Sequence, residues 1–555
     1  MISLADVAAE AEESVKGPDA GQSGRVSKRR IVLWSLPASL LALGMTFYIC
    51  TLPNILYGEH EYDDGVYLGA AMRLVHGIAP YRNFVIVHPP GIVLLMTPIA
   101  ALSGWIGTDA CMALARDLTF LVGGVNPLLA ALVVRHRGRT AAVVAATSLA
   151  IFPMAIAADQ SLLLEPYLMF FCLIGLILMF SEGRLASPRR VMLGGIFLGL
   201  GASVKIWGLF VIAAAALICL RHVRKALLPV LAGSAIGFGV PCLPFFLMVP
   251  TAFIRDIFGD QFERVVTGSA TFSSGERMIW LTGLEGLTII KATDGLAVVA
   301  VIAFVAFVGS GLIVGRRSLR SLDWMIVAAS TASVAVMWAP NYLLPHYTYF
   351  PATFLSLLLG VSVAIHLDRL RLRYRSVSRR SWIAVCAAGC VIAAAFLVPQ
   401  QAGYARSNLA VAKNMSFLNL FMSSQSCIVS DDAALTIEAG VFAPAHPNCP
   451  DLVDSYGTWL AQGPGTDPGY GGNGQSVVNG FEGPYPAAFE NEWAKWLSEG
   501  DFVLMLQRWS PYIPWTPQLK AWFSSNFHLI TGASGLWIYR HVDRTPPPFV
   551  TTRST

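Results

Sequence analysis

Two adjacent carboxylates open the stretch EYDDGVYLGAAMRLV, just past a long apolar run, and carboxylates are suited to taking a proton from a hydroxyl. One acid suffices to cap a helix, so Asp64 beside Asp63 asks for a second role, and general base is the obvious one. Simple capping is the alternative, because Val66, Ala70 and Leu74 with Tyr67, Ala71 and Val75 predict a helix by their spacing. Glu165, in DQSLLLEPYLMFF, is suited to binding a sugar hydroxyl or a cation, or to starting a helix before Pro166. Lys205, in ASVKIWG, is suited to a lipid phosphate, or to snorkelling toward the interface. Arg116, in ALARDL, is suited to a two-pronged phosphate contact, or to pairing with Asp117. His88 in VHPPG and His346 in LLPHYTYF are single histidines for which binding and interface packing both stand. Tyr67 joins the substrate-binding candidates, and Tyr342, Tyr347 and Tyr349 either stack on sugar faces or form a membrane belt.

Such residues act together only if the fold brings them to one side of something, and the composition says what. The 555 residues are 55% hydrophobic and 13% charged, with mean hydropathy +0.58. That pattern excludes an ordinary soluble enzyme and predicts a polytopic α-helical membrane protein. A net charge of +5 with basic residues in short clusters between apolar runs is a topology signal and not a nucleic-acid footprint. Residues 1–30 form an expected cytoplasmic tail ending in RVSKRR, and the run from Ile31 to Pro53 reads as a retained span. Further apolar segments fall near 91–107, 118–134, 141–157, 166–180, 191–220, 226–249, 295–315, 323–339, 349–365 and 382–398.

Basic clusters at 135–139, 183–190, 221–225, 316–320 and 368–380 are expected on the cytoplasmic side. Basic flanks at both ends make 191–220 a hairpin turning near Lys205, and charge parity makes 91–107 a juxtamembrane or re-entrant helix. About eleven spans follow, with the C-terminus outside. The outer loops, 54–117 first among them, then collect Asp63, Asp64, Arg116, Glu165, Lys205 and His346. The helix after Asp64 is expected to lie along the outer leaflet.

After Pro399 the composition turns to Gly, Pro, Asn, Asp and Trp, predicting an extracytoplasmic α/β domain over 400–545 and a disordered tail over 546–555. CIVSDDAALTIEAGVF reads as strand, loop and helix, GDFVLML as a strand, WTPQLKAWFSSNF as a helix and GLWIYRHV as a closing strand. QGPGTDPGYGGNGQ reads as a loop. Cys427 and Cys449 lie in this polar region, where a disulfide can form if it is outside, while the other cysteines lie in or beside apolar runs. No cysteine or histidine spacing predicts a structural zinc site.

The order YDDGVYLGAAMRLVHGIAPYRNF…HPPG, ARD, DQSLLLEPYLMFF, LGLGASVKIWG resembles the integral-membrane glycosyltransferases of the GT-C type over residues 31–350. The likeness is to the protein O-mannosyltransferases and the lipid A aminoarabinose transferases. It implies a GT-C-like transmembrane domain over 31–399 with its catalytic outer loop at 54–117. It also implies Asp63 as catalytic base, Asp64 at the second acid, and Glu165 and Lys205 at the positions of the later acid and lysine. Val87 and His88 stand before Pro-Pro where the family often has a charged residue, and the C-terminal region has no β-trefoil repeats.

The resemblance implies a polyprenyl-phosphate sugar donor, an envelope glycan, lipid or protein acceptor, and inversion at the anomeric carbon. A divalent cation is left open as a cofactor. Developing charge on the lipid phosphate calls for cations, for which Lys205, Arg116 and His88 are the candidates. The rival readings are a transporter or flippase of lipid-linked sugar, against which the absence of a visible repeat argues, and a non-catalytic envelope scaffold.

Overall fold

The computed structural model describes residues 28–51, 55–59, 61–262, 273–286, 293–339, 343–373, scattered positions between 381 and 400, 413–463, 485–533, 536–542 and 547. Most of the N-terminal tail, the span expected at 382–398, Tyr342, most of the Gly-rich loop and nearly all of the C-terminal tail therefore lie outside the described residues.

The apolar runs fold into α1 (Lys28–Cys50), α4 (Thr108–Val133), α5 (Arg139–Ala150), α7 (Leu164–Met179), α8 (Pro188–Val204), α9 (Gly208–Cys219) and α10 (Leu228–Met248). They continue with α11 (Asp294–Gly315), α12 (Ser321–Trp338) and α13 (Tyr349–Arg373). Among the described residues six stretches are long and apolar enough to cross a membrane, or seven if the bent pair of α5 and α6 (Pro153–Asp159) counts as one. This is fewer than the eleven expected spans because α7 and α8, at 16 and 17 residues, fall just short, because Gly208–Met248 counts as one stretch although it holds both α9 and α10, and because the span expected at 382–398 lies outside the described residues. The expected hairpin at 191–220 is two helices, α8 and α9, broken at Lys205, and α5 and α6 meet at 65°. Broken backbone of this kind is tolerated at membrane depth only where protein covers it. At 91–107 the helix α3 (Gly91–Ala100) is too short to cross, at about 15 Å.

Close helix packing is built from small residues. A side chain added at Gly195 or Gly199 of α8 would strike the carbonyls of Val230 and Ser234 of α10 at 2.4 and 2.3 Å. Without a hydrophobic drive inside lipid, such contact between backbones supplies the dispersion energy that holds two spans together. At one end of the bundle Asp323 ties two basic loops: His136 Nε2 at 2.8 Å and Arg137 Nη2 at 2.5 Å from one, and the Arg320 backbone N–H at 2.6 Å from the other. Along α4 that end lies about 30 Å from Arg116, one bilayer core away.

At the Arg116 end the chain forms α2 (Tyr62–Val75) and the C-terminal sheet-containing domain. Strands β1 (Ile428–Ser430), β2 (Phe502–Met505), β3 (Phe527–Ala533) and β4 (Leu536–His541) make one sheet in the order β1-β2-β4-β3. The β1-β2 pair is parallel and the other two pairs are antiparallel. Helices α14 (Ala433–Glu438), α15 (Ser455–Gln462), α16 (Ala487–Glu499) and α17 (Pro517–Asn526) surround it. Cys427 and Cys449 are disulfide-bonded. Strand β3 was not expected: α17 passes straight into it, with no Gly or Pro to mark the change.

Helix α2 does not lie on the leaflet surface. Every residue from Asp64 to Arg73 is buried, because Gly65, Gly69, Ala70 and Ala71 leave room for the C-terminal domain to seat on it. A Cβ at Gly65 would meet the Ala434 backbone nitrogen at 2.1 Å. Arg73 completes the seat, donating to the carbonyls of Pro444, Pro450 and Leu452 and pairing with Asp451 at 2.9 Å.

Candidate active site

Helix α2 starts at Tyr62, so Asp63 and Asp64 fall in its first turn, and the N-cap residue Glu61 makes no side-chain cap hydrogen bond. The two acids part company at once. Asp64 is 0% exposed. Its Oδ2 accepts from Arg116 Nε at 2.7 Å, and its Oδ1 from the Leu162 N–H at 2.6 Å. Asp63 is half-buried and accepts a hydrogen bond on Oδ2 from the Tyr67 hydroxyl at 3.1 Å. Burial and the Asp63 charge push the Tyr67 phenol well above its ordinary pKa, so it stays a donor.

Arg116 does not pair with Asp117, and its guanidinium is fully engaged. It is 0% exposed. Beyond Asp64 it reaches Glu438 Oε1 at 2.5 Å and the carbonyls of Ile55, Leu56 and Gly58 at 3.2, 3.0 and 3.1 Å. A phosphate could be gripped here only by breaking these bonds, so Arg116 anchors the segment Ile55–Gly58 and the C-terminal domain to α4. Asp64 has partners on both oxygens, whereas Glu438 Oε2 has none among the described residues. Burial accordingly raises the Glu438 pKa to about 8 against the pull of Arg116. Burial, then the charges of Asp63, Asp64, Glu59 and Glu165, raise Glu61 well above the carboxylate range.

The second cluster forms at the break between α8 and α9. Lys205, in extended backbone at φ −140°, is 4% exposed and pairs with Glu165, itself 1% exposed. Its ammonium also lies 3.8 Å from the Trp207 ring centroid and 4.1 Å from that of Tyr347. The lysine is therefore caged and not snorkelling. Helix α7 begins at Leu164, placing Glu165 in its first turn, as Pro166 suggests. His346 stands edge-on to Tyr347 at 4.8 Å. Tyr349 is buried, its hydroxyl accepting from Asn126 Nδ2 at 2.9 Å. Neither tyrosine forms a lipid-facing belt.

Tyr67 links the two clusters. It hydrogen-bonds Asp63, packs edge-on against His88 at 5.7 Å, and lies in the electrostatic reach of both Glu165 and Tyr347. The structure thus joins Asp63, Tyr67, His88, Glu165, Lys205 and His346 in one run of contacts, and buries Asp64 and Arg116 in an ion pair of their own. Sequence reasoning missed Trp207, although KIWG puts it two residues from Lys205, and Glu438, which no local pattern could reveal. Among the described residues no group of three or more His, Cys, Asp or Glu side chains is arranged to hold a metal ion. No step below passes through a divalent cation.

Residues 103–258 match the family described as dolichyl-phosphate-mannose-protein mannosyltransferase. No curated protein matches the chain in sequence. ArnT from Cupriavidus metallidurans, bound to undecaprenyl phosphate, superposes with TM-score 0.51 at 14% identity, covering 93% of this chain and 98% of that one. The oligosaccharyltransferase AglB from Archaeoglobus fulgidus, in complex with an inhibitory peptide and a dolichol-phosphate, gives TM-score 0.50 at 10% identity, covering 93% and 75%. Against the same archaeal enzyme tethered with an acceptor peptide, the match covers 75% of this chain but only 64% of that one, at TM-score 0.47 and 13% identity. The chain is a multi-span membrane protein with the GT-C glycosyltransferase fold, and the match to the mannosyltransferase family falls on the helices that carry Arg116, Glu165 and Lys205.

Proposed function

We propose that this protein transfers a sugar from a polyprenyl-phosphate donor to an acceptor hydroxyl on the outer face of the cytoplasmic membrane, with inversion and with Asp63 as general base. The observation that carries the reading is that Tyr67 hydrogen-bonds the half-buried Asp63 and lies in the electrostatic reach of Glu165 and Tyr347, the partners of the caged Lys205. Asp63 takes the acceptor hydroxyl proton as that oxygen bonds to the anomeric carbon. The bond from that carbon to the phosphate oxygen breaks, and its electron pair stays on the phosphate. Lys205 is buried, so it acts on the growing phosphate charge at low dielectric, where a fixed cation counts for most. The Trp207 and Tyr347 faces hold its ammonium in place. Tyr67 fixes the orientation of the Asp63 carboxylate and leaves Oδ1 toward the acceptor.

Two further observations support an outward-facing site. The Cys427–Cys449 disulfide fits an oxidising compartment, and the basic loops gathered on Asp323 lie at the far end of the bundle, as the positive-inside rule requires.

The test is sugar transfer from purified polyprenyl-phosphate donor by Asp63→Asn protein. The expected outcome is loss of transfer with expression and unfolding temperature unchanged. Normal turnover by the folded variant refutes the assignment.

A further inference from the structure

A polar cleft with about 520 Å³ of free space opens where the first outer loop, the segment after α10 and the C-terminal domain meet. Arg82 and Asn83 enter it from the loop, Arg255 from the segment after α10, Gln462 from α15, and Glu492 and Trp496 from α16. None of these residues belongs to the cluster of Asp63, Tyr67, Glu165 and Lys205 described above. We propose that the cleft is an acceptor subsite for a carbohydrate chain, so that the acceptor of the reaction proposed above is a glycan. This deepens that reading and rests on it.

Three observations carry the assignment. The lining has the chemistry of sugar recognition: an indole face for the apolar side of a ring, with amide, carboxylate and guanidinium groups for adjacent hydroxyls. Its charges balance, which disfavours a phosphate or an acidic peptide. Two guanidinium groups, Arg82 and Arg255, stand against two carboxylates, Asp451 and Glu492, in its lining.

The loop is also built to present its side chains. Tyr81 holds φ +66°, a conformation costly for any residue but glycine. It is fixed by its hydroxyl on the His88 carbonyl at 2.6 Å, by its N–H on the Phe84 carbonyl at 2.9 Å, and by its ring 5.0 Å from Phe253. Arg82 and Asn83, both exposed, follow directly.

The third observation is the path to Asp63. Tyr62, its neighbour, donates to Asp454 Oδ1 at 3.0 Å, and the same oxygen caps α15 through the Gly457 N–H at 2.7 Å. From Ser455 the helix runs to Gln462 in the cleft, about 10 Å. Tyr456 and Tyr512 pack beneath this connection in one core cluster with Val85 and Val87, which fixes its spacing. An oligosaccharide with its reactive hydroxyl at Asp63 would place a further unit in the cleft.

The test uses full-length Asp63→Asn protein in nanodiscs, which binds without turnover, and short neutral gluco-, galacto-, manno- and arabino-oligosaccharides as probes. Saturation-transfer NMR should detect binding of at least one series. Arg82→Ala, at an exposed position, and Trp496→Ala should each weaken it about tenfold, as expected for losing hydrogen bonds and one stacking face. Trp496→Phe, which keeps an aromatic face, should restore most of it. No binding by any series, binding indifferent to Arg82→Ala and Trp496→Ala, or displacement by inorganic phosphate would each overturn the assignment. These outcomes are read without catalysis, so they stand apart from the fate of Asp63 in the transfer assay.

Discussion

Replacing Arg116 by Met tests whether this residue anchors the fold or grips a phosphate. The substitution keeps the aliphatic bulk and removes a guanidinium that is 0% exposed. It leaves Asp64 buried with only the Leu162 N–H, strips Glu438 of its cation, and frees the carbonyls of Ile55, Leu56 and Gly58. Breaking a buried ion pair from one side costs about 3–5 kcal/mol. The abandoned carbonyls add to that. The apparent unfolding temperature should therefore fall by several degrees, on the order of 5–10 °C.

Tryptophan fluorescence reports the transition, because Trp459, Trp493, Trp515 and Trp522 lie in the core of the C-terminal domain that Glu438 tethers. Arg116→Lys keeps the charge but has one donor head for five acceptors, and should fall between the two. Neutralising the set together, as Asp64→Asn, Arg116→Met and Glu438→Gln, should recover much of the loss, since no charge is then buried alone. An unchanged unfolding temperature in Arg116→Met with weakened donor binding would refute the anchoring role and restore the phosphate reading.

Three other outcomes follow from the same geometry. Lys205→Gln should lower transfer about 10²–10³-fold, the usual loss for one charge-stabilising donor. Glu165→Gln made with it should restore stability but not turnover, as a stopped assay and a melting curve together would show. Glu438 titrates near 4.5 when unfolded and is raised by burial to about 8 in the fold, and burial likewise raises Asp431 from 3.8 to about 7. Between those values the folded chain holds protons that the unfolded chain has lost, so stability falls as pH rises from about 5 to about 8, and Glu438→Gln should flatten that slope in pH-resolved thermal unfolding. Reducing the Cys427–Cys449 bond, which spans 22 residues, should destabilise the C-terminal domain by about 3 kcal/mol, measured by denaturant titration with and without reductant.

The bundle was legible wherever one local rule decides the structure. Apolar length predicted α1, α4, α10, α11, α12 and α13, and basic flanks predicted the break at Lys205. In the C-terminal domain β1, α14, β2, α17 and β4 stand where alternation and capping residues put them, with Thr516 capping α17. What escaped depends on contacts between distant parts of the chain. The spacing in α2 shows one apolar face, but nothing local says that α14, more than three hundred residues later, covers the other. Glu438 is one acid among many until the fold sets it 2.5 Å from Arg116, 322 residues away. Tyr347 has the composition of a membrane belt and becomes a cage for Lys205 only because α13 returns to the break between α8 and α9.

The doubled acid that opens α2 can be explained by helical geometry. Successive residues on a helix point about 100° apart, so two adjacent carboxylates cannot serve the same partner. Asp64 faces inward, where Arg116 and the Leu162 N–H fix both its oxygens and with them the first turn of the helix. Asp63 is thereby turned to the other side, where its only hydrogen bond among the described residues comes from Tyr67. The base proposed above must be rigidly aimed yet lightly held, and those demands conflict in a single residue. The pair divides them: Asp64 is fixed through both oxygens, and Asp63 accepts one hydrogen bond, on Oδ2, among the described residues.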